Sequence, residues 1–212
     1  MKKIKVILVD DHAVVRAGYK ILLKNIDAIE VVAEAANGED AVQLSKDCNP
    51  DVIVMDISLP GIGGIEAIRQ ITLINNNAKI LVFSMHEELV FVEQALQAGA
   101  HGYMTKSSNP QLLSKAIKQI YNGKKYIDDE LQKRMLYKKS PEDDPQLSDL
   151  STREFQIFCL LAEGLTTAEI SKQLSISYKT AANYGTQIKN KLNVTTVADI
   201  ARIAIRRNII KA

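Results

Sequence analysis

The sequence predicts a two-domain chain: a five-stranded, doubly wound parallel α/β domain followed by an all-α domain of four helices. Three observations carry that reading. Short β-branched runs alternate with amphipathic stretches over residues 1–121, the pattern of a parallel sheet with helices on both faces. The segment Ser140-Pro141-Glu142-Asp143-Asp144-Pro145 is charged, holds two prolines and lacks apolar residues, which marks a domain linker. Beyond it the apolar spacing is purely helical.

Taken in order, strands are expected at 4–9, 31–34, 52–55, 80–83 and 102–104. Val6-Ile7-Leu8-Val9 and Val52-Ile53-Val54-Met55 are continuous apolar runs, as strands buried on both faces require. Helical periodicity fills 13–25, 39–48, 64–74, 89–98 and 110–121, giving five β/α units. Asn122-Gly123 closes the last unit. The linker is placed at 122–147, with a polar amphipathic helix at 128–139, and the second domain at 148–212 with helices at 152–162, 167–174, 178–192 and 197–207.

With 212 residues, 46% of them hydrophobic, the chain can build two small cores. Its longest apolar runs are four to six residues, far short of the roughly 20 that span a bilayer, so no membrane contact is expected. The basic start, Met1-Lys2-Lys3-Ile4-Lys5, runs into Asp10-Asp11 before any signal-peptide core can form, and the expected location is cytoplasmic. Cys48 and Cys159 fall in different domains and in no CxxC or Cys/His cluster, so both are read as free thiols. The net charge of +2 conceals a division: from Ser148 onward nine Lys/Arg face five Asp/Glu, net +4, leaving −2 for the rest. A basic C-terminal part suits a polyanionic partner.

In a parallel sheet the functional groups collect at the carboxyl ends of the strands. Asp10-Asp11 follow the first expected strand, Asp56 the third, Ser84 the fourth and Lys106 the fifth. These positions therefore converge on one sheet edge. Three carboxylates that close repel one another, and a hard divalent cation such as Mg²⁺ relieves this while leaving room for phosphate oxygens. A carboxylate attacking phosphorus needs its incoming charge neutralised, which Lys106 and a metal supply. Each residue alone also has a plainer reading: Asp10 or Asp11 as a helix N-cap, Tyr103 as a half-buried strand aromatic, Lys106 as a solvated lysine.

Together, Asp10-Asp11, Asp56, Pro60-Gly61, Ser84, Tyr103 and Lys106 resemble the receiver domain of bacterial response regulators, a flavodoxin/CheY-like fold. The resemblance implies that Asp56 accepts a phosphoryl group from a sensor histidine kinase. It implies that Asp11, Asp56 and the Ser58 backbone carbonyl bind Mg²⁺, with Asp10 acting mainly through water. It makes Ser84 and Tyr103 the switch pair that turns phosphorylation into a surface change near the fourth helix and fifth strand.

In the second domain, Ser151 and Glu154 have capping-box spacing, and the tight Ser175-Ile176-Ser177 turn between two helices suggests a helix-turn-helix. Leu150-Ser151-Thr152-Arg153-Glu154, Gly164, Ala168-Glu169-Ile170, Leu174, Ile176-Ser177, Lys179-Thr180 and Lys191-Leu192 resemble the LuxR/NarL type of DNA-binding domain. That likeness makes 178–192 the recognition helix, with Lys179, Thr180, Asn183, Tyr184, Lys189 and Lys191 as DNA-contact candidates. Ala181 and Ala182 depart from the family pattern, and only apolar contact to a thymine methyl remains there. Tyr184 and Ala204-Ile205-Arg206-Arg207 are similar to the GacA/UvrY/LetA subgroup, whose members govern small regulatory RNA genes. The resemblance further implies a homodimer on phosphorylation, with promoter DNA as partner.

The competing readings are an aspartate-nucleophile phosphatase of the haloacid dehalogenase kind, a receiver used for docking without phosphorylation, and a helical module that binds acidic proteins. The first lacks its second acid, since Ser58 stands two residues after Asp56. Gly61-Ile62-Gly63-Gly64 is read as a loop rather than a nucleotide site, because Glu66 occupies the third glycine position of GxGxxG. His12, His86 and His101 lack metal-ligand spacing and are assigned to local packing or hydrogen bonding.

Overall fold

The computed structural model describes residues 2–137, 147 and 149–210. Strands β1 (Ile4–Val9), β2 (Ile29–Ala35), β3 (Val52–Met55), β4 (Ile80–Ser84), β5 (Gly102–Thr105) and β6 (Tyr126–Ile127) form one sheet in the order β2-β1-β3-β4-β5-β6. Every pairing is parallel. The expected count of five strands is thereby corrected to six. The two residues of β6 follow Lys124-Lys125 and carry no apolar run, so their strand character comes from tertiary pairing alone. That pairing needs Gly102, because a Cβ there would come 2.4 Å from the Tyr126 carbonyl oxygen.

Five helices, α1 (Ala13–Lys24), α2 (Gly38–Cys48), α3 (Gly64–Ile74), α4 (Leu89–Gln97) and α5 (Leu112–Tyr121), connect the first six strands. Alternation along the strands sends side chains to opposite faces. Val6 and Leu8 of β1 join Leu23 of α1 and Leu113, Ile117 and Ile120 of α5 in one core. Ile7 and Val9 join Ala41 of α2, Ile68 and Ile71 of α3 and Val92 of α4 in the other. Each such fully buried Ile or Leu contributes about 1.5–3 kcal/mol, which outweighs the differences in helix propensity.

Helix α6 (Asp129–Tyr137) lies within the helix expected at 128–139; positions 138 and 139, and the segment 140–145 read as the linker, lie outside the described residues. Helices α7 (Thr152–Ala162), α8 (Thr167–Gln173), α9 (Tyr178–Lys191) and α10 (Val197–Arg206) follow. Ser151 caps α7, accepting from the Glu154 N–H while the Glu154 carboxylate accepts from the Ser151 N–H. Thr166 with Glu169 and Thr196 with Asp199 repeat that box at α8 and α10. Phe158, Ile170, Ile188 and Ile200, one from each helix, meet in the centre of this bundle.

The helical domain rests on the α3–α4 side of the sheet domain through α7. The Phe91 and Phe155 rings meet edge to face with centroids 5.4 Å apart. Gln94, fully buried on α4, donates from Nε2 to the Leu150 carbonyl at 3.0 Å. Gln156 of α7 donates from Nε2 to the Ile62 carbonyl in the loop before α3. No described helix is long and apolar enough to cross a membrane.

After β1 the chain turns to one side for β2, then places β3 on the other. That reversal opens a crevice at the carboxyl ends of β1 and β3, the place where open α/β sheets bind ligands. Gly64, the first residue of α3, packs against the strand end there: a Cβ would lie 2.0 Å from the Asp56 carbonyl oxygen. Gly64→Ala must displace the Asp56 backbone, so a loss of about 2 kcal/mol in stability is expected from urea denaturation.

Candidate functional site

At the crevice, Asp10 and Asp56 are 6% and 3% exposed. The Lys106 ammonium donates to Asp10 Oδ2 and Asp56 Oδ2, both at 2.6 Å. Three strand ends are thus clamped by one amine. Burial works to lower the Lys106 pKa, but its hydrogen bonds to Asp10 and Asp56 outweigh that and hold the ammonium above its ordinary value. Lys106 is charged at neutral pH.

Asp11 sits exposed at the rim, with its Oδ1 2.6 Å from His12 Nδ1. Ligand atoms of Asp10, Asp11 and His12 lie within 4.8 Å of one another. The helix-cap alternative for the aspartates is not adopted: His12 is the N-cap of α1 and makes no side-chain cap bond. Asp10 Oδ1 instead accepts from the His12 N–H at 2.9 Å, and Asp56 Oδ1 accepts from the Ser58 N–H at 3.2 Å. Three carboxylates against one lysine leave an excess of two negative charges, and the donors are hard oxygens. This donor set fits a divalent cation of the Mg²⁺ type.

Ser84 is fully buried at the end of β4 and its Oγ accepts from the His86 N–H at 3.3 Å. Tyr103, also fully buried, donates from its hydroxyl to the His86 carbonyl at 2.9 Å. Burial raises the Tyr103 pKa far above its ordinary value, so the phenol remains a neutral donor. His86, expected to serve local packing or hydrogen bonding, does both: its ring stacks on Phe91. The structure puts its Nε2 3.0 Å from Ser58 Oγ, at the mouth of the crevice. Burial lowers its pKa first, against the opposing pull of Glu88 and Asp56. The available clue was register: β3 and β4 are adjacent, with Met55 beside Val82, so residues just past their ends are neighbours. Asp11, Ser58, His86, Phe91 and Phe155 line a cavity of about 350 Å³ between the crevice and α7.

The DNA-contact candidates separate into groups. Lys179 and Asn183 are exposed on α9. Thr180 is half-buried and tied to the cap of its own helix, with Oγ1 2.7 Å from Ser177 Oγ. Tyr184 and Lys189 are half-buried, and Tyr184 packs against the apolar core. Lys191 is exposed but tied to α7, donating to Glu154 Oε2 at 2.7 Å and to the Asp149 carbonyl at 3.1 Å. Ala181 is buried in the bundle; its small side chain serves packing.

Comparison with known proteins agrees with both halves of this geometry. Residues 6–118 match the response regulator receiver domain family, and residues 148–204 match the luxR family of bacterial regulatory proteins. The chain belongs to the LuxR-family response regulators. It is 39% identical to the response regulator UvrY of Escherichia coli (strain K12) over 99% of this chain and 97% of that one. It is 36% identical to the response regulator GacA of Pseudomonas aeruginosa, over 99% of each. Among solved structures, RcsB of Salmonella typhimurium superposes with a TM-score of 0.74 at 26% identity, covering 96% of this chain and 97% of that one. Another structure is of RcsB from Salmonella enterica serovar Typhimurium bound to promoter rprA in the presence of the phosphomimetic BeF3−, with a TM-score of 0.72 at 25% identity over 95% and 98% of the two chains. The protein is a two-component response regulator that acts on transcription.

Within the regulator's DNA-binding domain, burial tends to raise the Glu154 pKa, but the Lys191 and Ser151 hydrogen bonds prevail and hold it below its ordinary value. The bonded carboxylate therefore stabilises the fold fully above the ordinary value of 4.5, and that contribution is lost as pH falls through the depressed folded value. Glu154→Gln should lower stability by about 1–2 kcal/mol at pH 7, with the deficit shrinking in acid. Thermal melts at the two pH values check this; an equal deficit at both would contradict it.

Proposed function

We propose that a sensor histidine kinase phosphorylates the regulator on Asp56 in the cytoplasm, and that the phosphorylated chain binds promoter DNA as a homodimer. The observation that carries the reading is the Lys106 ammonium bonded to both buried carboxylates, Asp10 and Asp56. A lysine fixed there meets the negative charge that builds as a carboxylate oxygen attacks phosphorus. An O–P bond to Asp56 forms as the N–P bond of the kinase's phosphohistidine breaks, and the electron pair returns to the imidazole.

Asp10, Asp11, Asp56 and the Ser58 carbonyl are the residues that would hold Mg²⁺. When bound, the ion supplies charge neutralisation at the phosphoryl oxygens. Asp10 keeps Lys106 aimed at Asp56, and the Ser58 N–H fixes the other carboxylate oxygen. Ser84 is the buried hydroxyl nearest the end of the strand next to β3, and it supplies a donor for a phosphoryl oxygen. Tyr103 is its companion in readout. The same pocket would govern self-hydrolysis of the phosphoaspartate.

On the DNA side, α9 is the recognition helix. Lys179 and Asn183 present exposed groups for phosphates or base edges, with Thr180, Tyr184 and Lys189 flanking them. Lys191 serves through its end-of-helix position, supporting α9 against α7 by the Glu154 pair. Phosphate contacts make the binding salt-dependent.

Incubation with acetyl phosphate and Mg²⁺ should attach one phosphoryl group to the wild type, labile to hydroxylamine, and none to Asp56→Asn. Mass spectrometry reads both. Equal labelling of the variant would contradict the assignment.

A further inference from the structure

The crevice and α7 are joined by rings that pass through His86. Both buried hydroxyl side chains at the site hold the His86 main chain, Ser84 at its N–H and Tyr103 at its carbonyl. The Ser58 hydroxyl fixes its imidazole at 3.0 Å. That imidazole stacks on Phe91, with centroids 4.0 Å apart and planes 26° from parallel. Phe91 meets Phe155 of α7 edge to face at 79°. Phe155 in turn stacks on Phe158 at 6.0 Å, in the centre of the helical domain.

His86 is thus the one described residue bonded to Ser58, Ser84 and Tyr103 and also stacked on the ring that touches α7. A phosphoryl group on Asp56 brings strong acceptor oxygens to this edge and competes for the Ser84 hydroxyl. Any shift of Ser84 or Tyr103 changes an anchor of the His86 backbone, and the stacked rings transfer that shift to Phe155. Packed aromatic contacts favour discrete arrangements over gradual deformation.

We infer that His86 is the positioning residue that couples the phosphoryl state of Asp56 to the docking of α7, through ring packing on Phe91 and Phe155. This rests on Asp56 being the phosphoacceptor. Coupling is reciprocal: a phosphoryl group that loosens α7 docking is itself bound more tightly when that docking is weakened, provided that His86 links the two.

The test is a double-mutant cycle on the full chain, titrating beryllofluoride with Mg²⁺ and reading bound fluoride by ¹⁹F NMR. Phe155→Leu should tighten beryllofluoride binding about fivefold in the wild-type background. In His86→Ala the same substitution should change nothing. In His86→Phe, which keeps a ring against Phe91, the fivefold effect should return. Phe91→Leu replaces Phe155→Leu if the latter gives no cooperative thermal melt. The inference is overturned if the loosened interface leaves wild-type binding unaltered, if its effect is as large in His86→Ala, or if His86→Phe behaves like His86→Ala. Failure of the phosphoacceptor reading looks different: the wild type itself would show no bound fluoride, or Asp56→Asn would bind it equally.

Discussion

One ammonium group ties the receiver together: Lys106 bonds Asp10 and Asp56, and thereby connects the ends of β5, β1 and β3. Buried carboxylates are costly unless paired, and a buried lysine is equally so. The parallel sheet makes the pairing available, because all its strands present their carboxyl ends on one edge. The crossover from β1 to β2 on one side and β3 on the other opens a crevice at that edge, where open α/β sheets bind ligands. Gly64 lets α3 begin directly against the Asp56 carbonyl, so Asp56 stands at a rigid strand end rather than on a free loop.

Contacts of modest size join the two domains. A hydrogen bond contributes about 1 kcal/mol net, and an aromatic pair about the same beyond its burial. The Gln94 and Gln156 bonds and the Phe91–Phe155 contact therefore sum to a few kcal/mol. One to three charge-assisted hydrogen bonds from a phosphoryl group are of comparable strength. An interface held much more tightly could not respond to a single modification, and one held more loosely would carry no information. The docking uses α7 and leaves Lys179 and Asn183 of α9 exposed, so the contact constrains the orientation of the domain more than it covers those two residues.

The strand-end residues were legible in the sequence because a parallel topology forces their convergence: once 4–9, 52–55, 80–83 and 102–104 read as strands, Asp10, Asp56, Ser84 and Lys106 had to meet at one edge. The Ser151–Glu154 capping box was legible for a similarly local reason, its three-residue spacing. β6 was not, since two residues after a pair of lysines carry no periodicity and only Gly102 across the sheet permits their pairing. Gln94 and Gln156 look like surface amides on amphipathic helices, and nothing local announces that each crosses a domain boundary. Lys191 is exposed like Lys179 of the same helix, and its bond to Glu154 depends on where α7 ends up. The packing and hydrogen bonding expected of His86 are present, but its partners Ser58 and Phe91 come from other segments of the chain, so nothing local to it names them.

These features meet in the proposal that phosphorylation of Asp56 controls promoter occupancy by the helical domain. Genome-wide mapping of bound DNA, for wild type and for Asp56→Ala at equal protein level, tests it most directly. The account predicts a discrete set of promoter sites occupied by the wild type and depleted in the variant. Identical occupancy by the two proteins would contradict it.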